Sequence, residues 1–214
     1  MASAQDGTEN RRVVIAGRYD CVIPAAGYSS RMGAFKPLVN YRGRALVLHG
    51  LEQAVKVCRS VILVTGHRGD ELENQVRSLE QVRIVHNPDF SEGMVRSIAA
   101  GAELVQSAWF FVAPGDMPAL PATVYRTLAD HSVTVDSEGA NGTGRTAAIF
   151  PVLDGRRGHP VLVSSRIIPE LLNCTEVPSM REFLRRYTVE EIPFPDTAVN
   201  RGMFLDIDRP EDVG

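Results

Sequence analysis

The stretch Ile23-Pro24-Ala25-Ala26-Gly27-Tyr28-Ser29-Ser30-Arg31-Met32-Gly33-Ala34-Phe35-Lys36-Pro37 brings small residues, a pair of serines and two cations into one short span. Those residue types suit an anion. A polyphosphate lying against backbone must reach N–H groups without Cβ crowding, and its charge must be countered nearby. Gly27 and Gly33 allow close approach and unusual φ values, Ser29 and Ser30 can donate hydrogen bonds, and Arg31 and Lys36 supply positive charge. The loop is not a P-loop, because Lys36 does not directly follow Gly33 and Pro37 comes next. The dinucleotide pattern G-x-G-x-x-G is missing too.

Carboxylates elsewhere complement this loop. Asp116 sits just past the apolar run Trp109-Phe110-Phe111-Val112-Ala113, flanked by Gly115 and by Met117-Pro118. Asp206 and Asp208 lie in Leu205-Asp206-Ile207-Asp208-Arg209-Pro210-Glu211-Asp212, where strand alternation places both on one side. Carboxylates reaching the rim that carries a cationic loop suit Mg²⁺, which takes one or two carboxylates and completes its shell with phosphate oxygens and water. The plainer reading of any single Asp is a helix cap or surface charge, above all for Asp208 ahead of Arg209-Pro210.

The elements that position these residues follow from periodicity. Tyr19 to Ile23 reads as a buried strand leading into the loop. A helix carrying Val47, Leu51, Ala54, Val55 and Cys58 precedes the β-branched strand Ser60 to Gly66. A polar helix with Glu71, Leu72, Val76 and Leu79 leads to the strand Val82 to Val85, which ends at His86-Asn87-Pro88. Gly93 opens a helix whose apolar stripe is Val95, Ile98, Ala99, Ala102 and Val105, with Ser91 and Glu92 expected to cap it. Strands alternating with helices over short loops imply a parallel sheet covered on both faces, with ligands gathering at the strand C-terminal ends. After His131 the pattern changes. Ser132 to Gly144 reads as a mobile loop, and strands Thr146 to Val152 and Val161 to Val163 bracket a turn from Asp154 to Pro160 that could close over a ligand. A helix around Met180 to Arg186 and strands near Val189 to Ile192 and Met203 to Leu205 complete the sheet.

Bulk properties narrow the partners. At 214 residues the chain suits one domain, read as residues 19–214, preceded by a tail or linker over residues 1–18. Within that tail, Arg11 to Gly17 is either an edge strand or a linker remnant. The formal net charge of -3 and the lack of a dense Lys/Arg cluster exclude a general nucleic-acid or membrane surface, and favour a small anionic ligand. Cys21, Cys58 and Cys174 form neither a disulfide framework nor a zinc pattern, which fits a reducing cytoplasm. No targeting segment or membrane span is expected.

The loop A-A-G-Y-S-S-R-M-G-A-F-K closely resembles the signature of nucleotidyltransferases of the molybdenum-cofactor type. Five further stretches follow in the same order: T-G-H-R-G-D-E-L from Thr65, H-N-P-D-F-S-E-G-M-V-R-S from His86, G-D-M-P from Gly115, G-H-P-V from Gly158 and D-I-D-R-P-E-D from Asp206. Together they resemble molybdopterin cytidylyltransferases over most of the chain. The resemblance implies a Rossmann-like three-layer α/β/α sandwich with a mostly parallel sheet, of the nucleotidyltransferase (GT-A-like) type. It implies transfer of CMP from CTP to the phosphate of molybdopterin or its molybdenum-loaded form, with pyrophosphate released.

Residue by residue, the resemblance implies that Arg31 and Lys36 clamp the triphosphate, and that Asp116 with one or both of Asp206 and Asp208 holds Mg²⁺. Ala25, Ala26, Gly27, Ser29, Ser30, Thr65, Gly66 and Ser97 become nucleotide contacts. Related guanylyltransferases carry Gly where Ala26 stands, so its methyl narrows the space beside the base toward a pyrimidine. His159 and Arg156 could meet the acceptor, although a satisfied structural His and a solvated Arg are equally natural for those positions. A molybdoenzyme or a delivery chaperone would receive the product. Arg209, where family members commonly carry Thr, and the stretch from Ser132 to Gly144 depart from the pattern and bear on the acceptor. Two other readings stand beside this one: a cytidylyltransferase acting on a sugar or methylerythritol phosphate, and a carrier of nucleotide or pterin without turnover.

Overall fold

The computed structural model describes residues 18–29, 32–138, 146–174, 177 and 179–213, with backbone alone for 136–138. Strand β1 (Asp20–Pro24) runs into the signature loop, which closes in a 3₁₀ turn at Lys36–Leu38. A small antiparallel hairpin, β2 (Asn40–Tyr41) with β3 (Arg44–Ala45), was not expected from the sequence. Then come α1 (Leu46–Val55), β4 (Ser60–Thr65), α2 (Gly69–Val76), β5 (Val82–His86), α3 (Met94–Ala102) and β6 (Trp109–Val112). The second half holds α4 (Ala122–Glu138), β7 (Ala148–Leu153), β8 (Arg156–Arg157), β9 (Val161–Ser164), α5 (Ile168–Leu172), α6 (Met180–Phe183) and β10 (Val189–Pro193).

The main sheet has the order β10-β7-β9-β6-β1-β4-β5, with β8 paired to β7. β1 is parallel to both β4 and β6, β4 to β5, and β10 to β7, while β9 runs antiparallel to β6 and β7. The sheet is therefore mostly parallel, and alternation along its strands feeds two cores. Cys21, Ile23, Val61, Leu63 and Phe111 pack under α1, α2 and α4 on one face. Val22, Ile62, Val64, Phe110 and Val112 pack under α3, α5 and α6 on the other. The three-layer α/β/α arrangement is the one expected. Among the described residues no helix is long and apolar enough to cross a membrane.

Three local expectations fail. Residues 132–138 are not loop: α4 continues to Glu138, because Val124, Tyr125, Leu128, Ala129, Ser132 and Val135 keep one stripe turned to the core. The remainder of that expected loop, 139–144, lies outside the described residues, as does the tail over residues 1–17. Met203 to Leu205 is not a strand, since Asn200–Phe204 forms a 3₁₀ turn. There Gly202 presses on the Ala119 backbone, which leaves no room for a Cβ beside its carbonyl oxygen, and Met203 is buried. Ser91 and Glu92 do not cap α3. They lie in a 3₁₀ turn, Phe90–Glu92, and the helix starts from Gly93 at φ +112° with no side-chain cap.

Candidate active site

The signature loop is pinned from beneath and open above. The Ala25 N–H donates to the Val64 carbonyl at 2.9 Å, and the His67 N–H donates to the Ala26 carbonyl at 3.0 Å, so the loop rides on β4. Phe35 enters the core under α1, and Met32 joins Tyr41, Leu46 and Ile207 in a separate buried cluster. Ser29 stands at φ +58° and Gly33 at φ +67°, and the Met32 N–H donates to the Ser29 carbonyl at 3.0 Å. The Lys36 N–H donates to Ser29 Oγ at 3.0 Å, so Ser29 fixes the backbone that presents Lys36. A Cβ on Gly27 would meet nothing within 4 Å, and Gly27 lines the cleft. Ser30 and Arg31 lie outside the described residues.

Lys36 is where distant parts of the chain meet. Its ammonium donates to Asp116 Oδ2 at 2.6 Å and to Asp208 Oδ1 at 2.5 Å. The lysine side chain is 12% exposed, against 32% and 42% for the two carboxylates. Burial works against the ammonium's charge, but the hydrogen bonds and charges of Asp116 and Asp208 overcome it and hold its pKa above the usual 10.5. Asp116 is placed by β6 and the turn after it, and Asp208 by a backbone tie: the Ile207 N–H donates to the Asp116 carbonyl at 3.1 Å. Burial of Ile207 against Met32 and Leu46 leaves Asp208 turned to Lys36. Asp206 is exposed and is not one of the carboxylates bonded to Lys36, and residues 205–208 are not the strand whose alternation was expected to pair the two acids.

Two carboxylates converging on one positive centre is a donor set that fits a hard divalent cation. Among the described residues no group of three or more His, Cys, Asp or Glu side chains is assembled for a metal, so an ion here would take its other ligands from phosphate and water.

Ala25, Ala26, Gly27, Ser29, Lys36, Asp116 and Ser97 line one cleft of about 320 Å³. Sequence reasoning named these but missed the part of the wall formed by Phe90, Gly93 and Met94. Phe90 and Met94 stand four residues apart on either side of Gly93 in the sequence, and Tyr28 packs edge-on to Phe90 at 5.0 Å between centroids. The uncapped start of α3 adds the positive end of a helix dipole to that wall. Ser97 accepts a hydrogen bond from Asn87 Nδ2 at 3.1 Å, a partner with no motif of its own.

Thr65 and Gly66 do not line the cleft. Thr65 is buried with its hydroxyl on the Val85 carbonyl at 3.5 Å, and Gly66 is packed against the Phe90 ring, 2.6 Å from where its Cβ would stand. His159 also sits outside the cleft, close enough to Asp116 to feel its charge, with Nδ1 enclosed and unpartnered among the described residues. Burial lowers its pKa, and the Asp116 charge opposes that only in part. Arg156 is exposed and stacks over the Phe204 ring at 4.8 Å.

The chain matches a known family along most of its length. Residues 21–192 fit the model of the MobA-like NTP transferase domain. The molybdenum cofactor cytidylyltransferase of Escherichia coli (strain K12) is 33% identical over 196 residues, which is 90% of this chain and 92% of that protein. In three dimensions the chain is similar to the crystal structure of Rv0371c from Mycobacterium tuberculosis H37Rv, with a TM-score of 0.71, 20% identity and coverage of 91% and 95% of the two chains. The structure of Rv0371c in complex with manganese gives a TM-score of 0.66 at 18% identity, covering 84% of this chain and 90% of that one. The matched span takes in the signature loop, Lys36 and Asp116, and leaves Asp208 to the segment beyond it. A loop, a lysine and a strand-end carboxylate gathered at one rim of a mostly parallel sheet thus have a family to account for them, and the chain belongs to the MobA-like NTP transferases.

Proposed function

We propose that this protein transfers CMP from CTP to the terminal phosphate of molybdopterin or its molybdenum-loaded form, with release of pyrophosphate and with Mg²⁺ as cofactor. The observation that carries the reading is the Lys36 ammonium held between Asp116 and Asp208 in a cleft also lined by Ala25, Ala26 and Gly27. The likeness to a cytidylyltransferase supports the choice of nucleotide, as does the Ala26 methyl, which takes up space in the cleft.

An oxygen of the acceptor phosphate attacks the α-phosphorus of CTP, the bond to the bridging oxygen breaks, and its electron pair leaves with pyrophosphate. No protein nucleophile is needed, because such transfers depend on positioning and charge stabilisation. Gly27 and Ser29 give the triphosphate room and a hydrogen-bonding edge. Lys36 has N–H capacity beyond its two carboxylates and donates to the phosphate oxygens where charge grows. Asp116 and Asp208 would hold the divalent cation, which when bound supplies neutralisation of phosphate charge. Arg31 belongs to the same clamp in this reading, and Arg156 and His159 to the acceptor side. The product would pass to a molybdoenzyme or a delivery chaperone in the cytoplasm, where the buried thiols of Cys21, Cys58 and Cys174 stay reduced.

The test is pyrophosphate release from each of CTP, GTP, ATP and UTP with Mg²⁺, offered with molybdopterin, a methylerythritol phosphate or a sugar phosphate. Release confined to CTP with molybdopterin is expected. Faster release with GTP, or with either of the other acceptors, overturns the assignment, and tight nucleotide binding with no release from any pair would mark a carrier.

A further inference from the structure

Asn87 and Ser97 are buried polar residues, 4% and 3% exposed, that join the end of β5 to α3 beside the cleft. The orientation of the amide is settled by its neighbours. The Asp89 backbone N–H donates to Asn87 Oδ1 at 3.0 Å, and a backbone N–H can only donate, so the amide oxygen must face it. The NH₂ group is then turned to Ser97 Oγ at 3.1 Å. An amide NH₂ also only donates, so the Ser97 oxygen accepts and its hydroxyl proton remains to be given elsewhere. The structure shows no acceptor for that proton among the described residues, and Ser97 lines the cleft.

We propose that Asn87 is a positioning residue that fixes the Ser97 hydroxyl as a donor toward the cleft, where it reads an acceptor atom, O2 or N3, of the bound cytosine. The inference rests on the CTP reading above. A serine hydroxyl is ambivalent by itself, able to donate to a carbonyl or ring nitrogen or to accept from a ring N–H. The chain of donors from Asp89 through Asn87 removes that ambivalence. Cytosine offers acceptors at both O2 and N3, whereas uracil carries a proton at N3. The competing account is that the pair merely satisfies two buried polar groups.

Pyrophosphate release by the natural protein, Asn87→Asp, Ser97→Ala and the double variant separates these accounts. An Asp at 87 keeps an oxygen for the Asp89 N–H and presents the other to Ser97, which must then donate to it and turn lone pairs to the cleft. The expected result is a rise of about tenfold in KM for CTP, the worth of about one neutral hydrogen bond, with the loss falling in KM and not in kcat. Ser97→Ala should lose a similar factor, and adding Asn87→Asp to it should cost nothing more. A fall in the CTP-over-UTP ratio marks N3 as the atom read, and a parallel loss for both nucleotides marks O2. An unchanged KM in a folded Asn87→Asp protein, or losses that multiply in the double variant, overturns the proposal. If Asn87→Asp does not fold, calorimetric CTP binding to Ser97→Ala decides: a loss of about tenfold sustains the donor role, and unchanged affinity ends it. A natural protein that releases no pyrophosphate from CTP sinks the nucleotide assignment instead, which keeps the two failures apart.

Discussion

Lys36 carries a charge that its surroundings protect. Its folded pKa lies above 10.5, so the contribution of its two ion pairs is fully present at neutral pH and is lost only as pH rises through that higher value. Lys36→Ala is expected to lower pyrophosphate release by roughly 10²- to 10³-fold, the range for removing one preorganised stabiliser of developing charge. The lysine itself should add no inflection to the pH–rate profile between about pH 6 and 9. Unchanged turnover would remove Lys36 from the chemistry. The residues of this centre were legible in the sequence because glycines, serines, cations and strand-end acids have recognisable spacing. Their pairing was not. Asp206 and Asp208 looked equivalent by alternation, yet the segment forms no strand, Asp208 is bonded to Lys36, and Asp206 is exposed. Asn87 was invisible for a different reason, since its role lies in the direction of hydrogen bonds and not in its residue type.

At the scale of elements, the wall of the cleft depends on a glycine outside it. A Cβ at Gly66 would stand 2.6 to 2.8 Å from Phe90 side-chain atoms, and Phe90 lines the cleft. Gly66→Ala is therefore expected to cost about 1–3 kcal/mol of stability by overpacking and to raise KM for nucleotide as Phe90 is pushed inward. A lowered Tm with KM unchanged would mean that the ring yields away from the cleft. β1, β4 and β6 were readable as apolar runs because they are buried on both faces. The end of α4 was not, since Ser132, Thr134 and Asp136 look like loop composition when read as a string. The stripe from Val124 through Leu128 and Ser132 to Val135 carries the helix instead, with a serine whose hydroxyl is satisfied by the Ala129 carbonyl at 2.9 Å. The three-residue apolar run Met203 to Leu205 is too short for periodicity to separate strand from turn, and tight packing at Gly158 and Gly202 decides it.

Across the whole molecule, stability and catalysis rest on separate foundations. The two cores that hold the sheet between its helices contain no charged residue of the centre, while the centre is assembled from the loop after β1, the turn after β6 and the segment past β10. Chelation of divalent cations is thus expected to abolish pyrophosphate release and any rise in Tm produced by CTP, while leaving the Tm of the nucleotide-free protein unchanged. A drop in that Tm on adding EDTA would instead show a metal built into the fold.

The backbone bond from Ile207 to the Asp116 carbonyl gives the resting protein a built-in timer. That amide can trade its hydrogen for deuterium only when the segment bearing Asp208 lifts from the turn bearing Asp116. Its exchange rate therefore counts, one molecule at a time and with no substrate present, how often the site is caught with a single carboxylate.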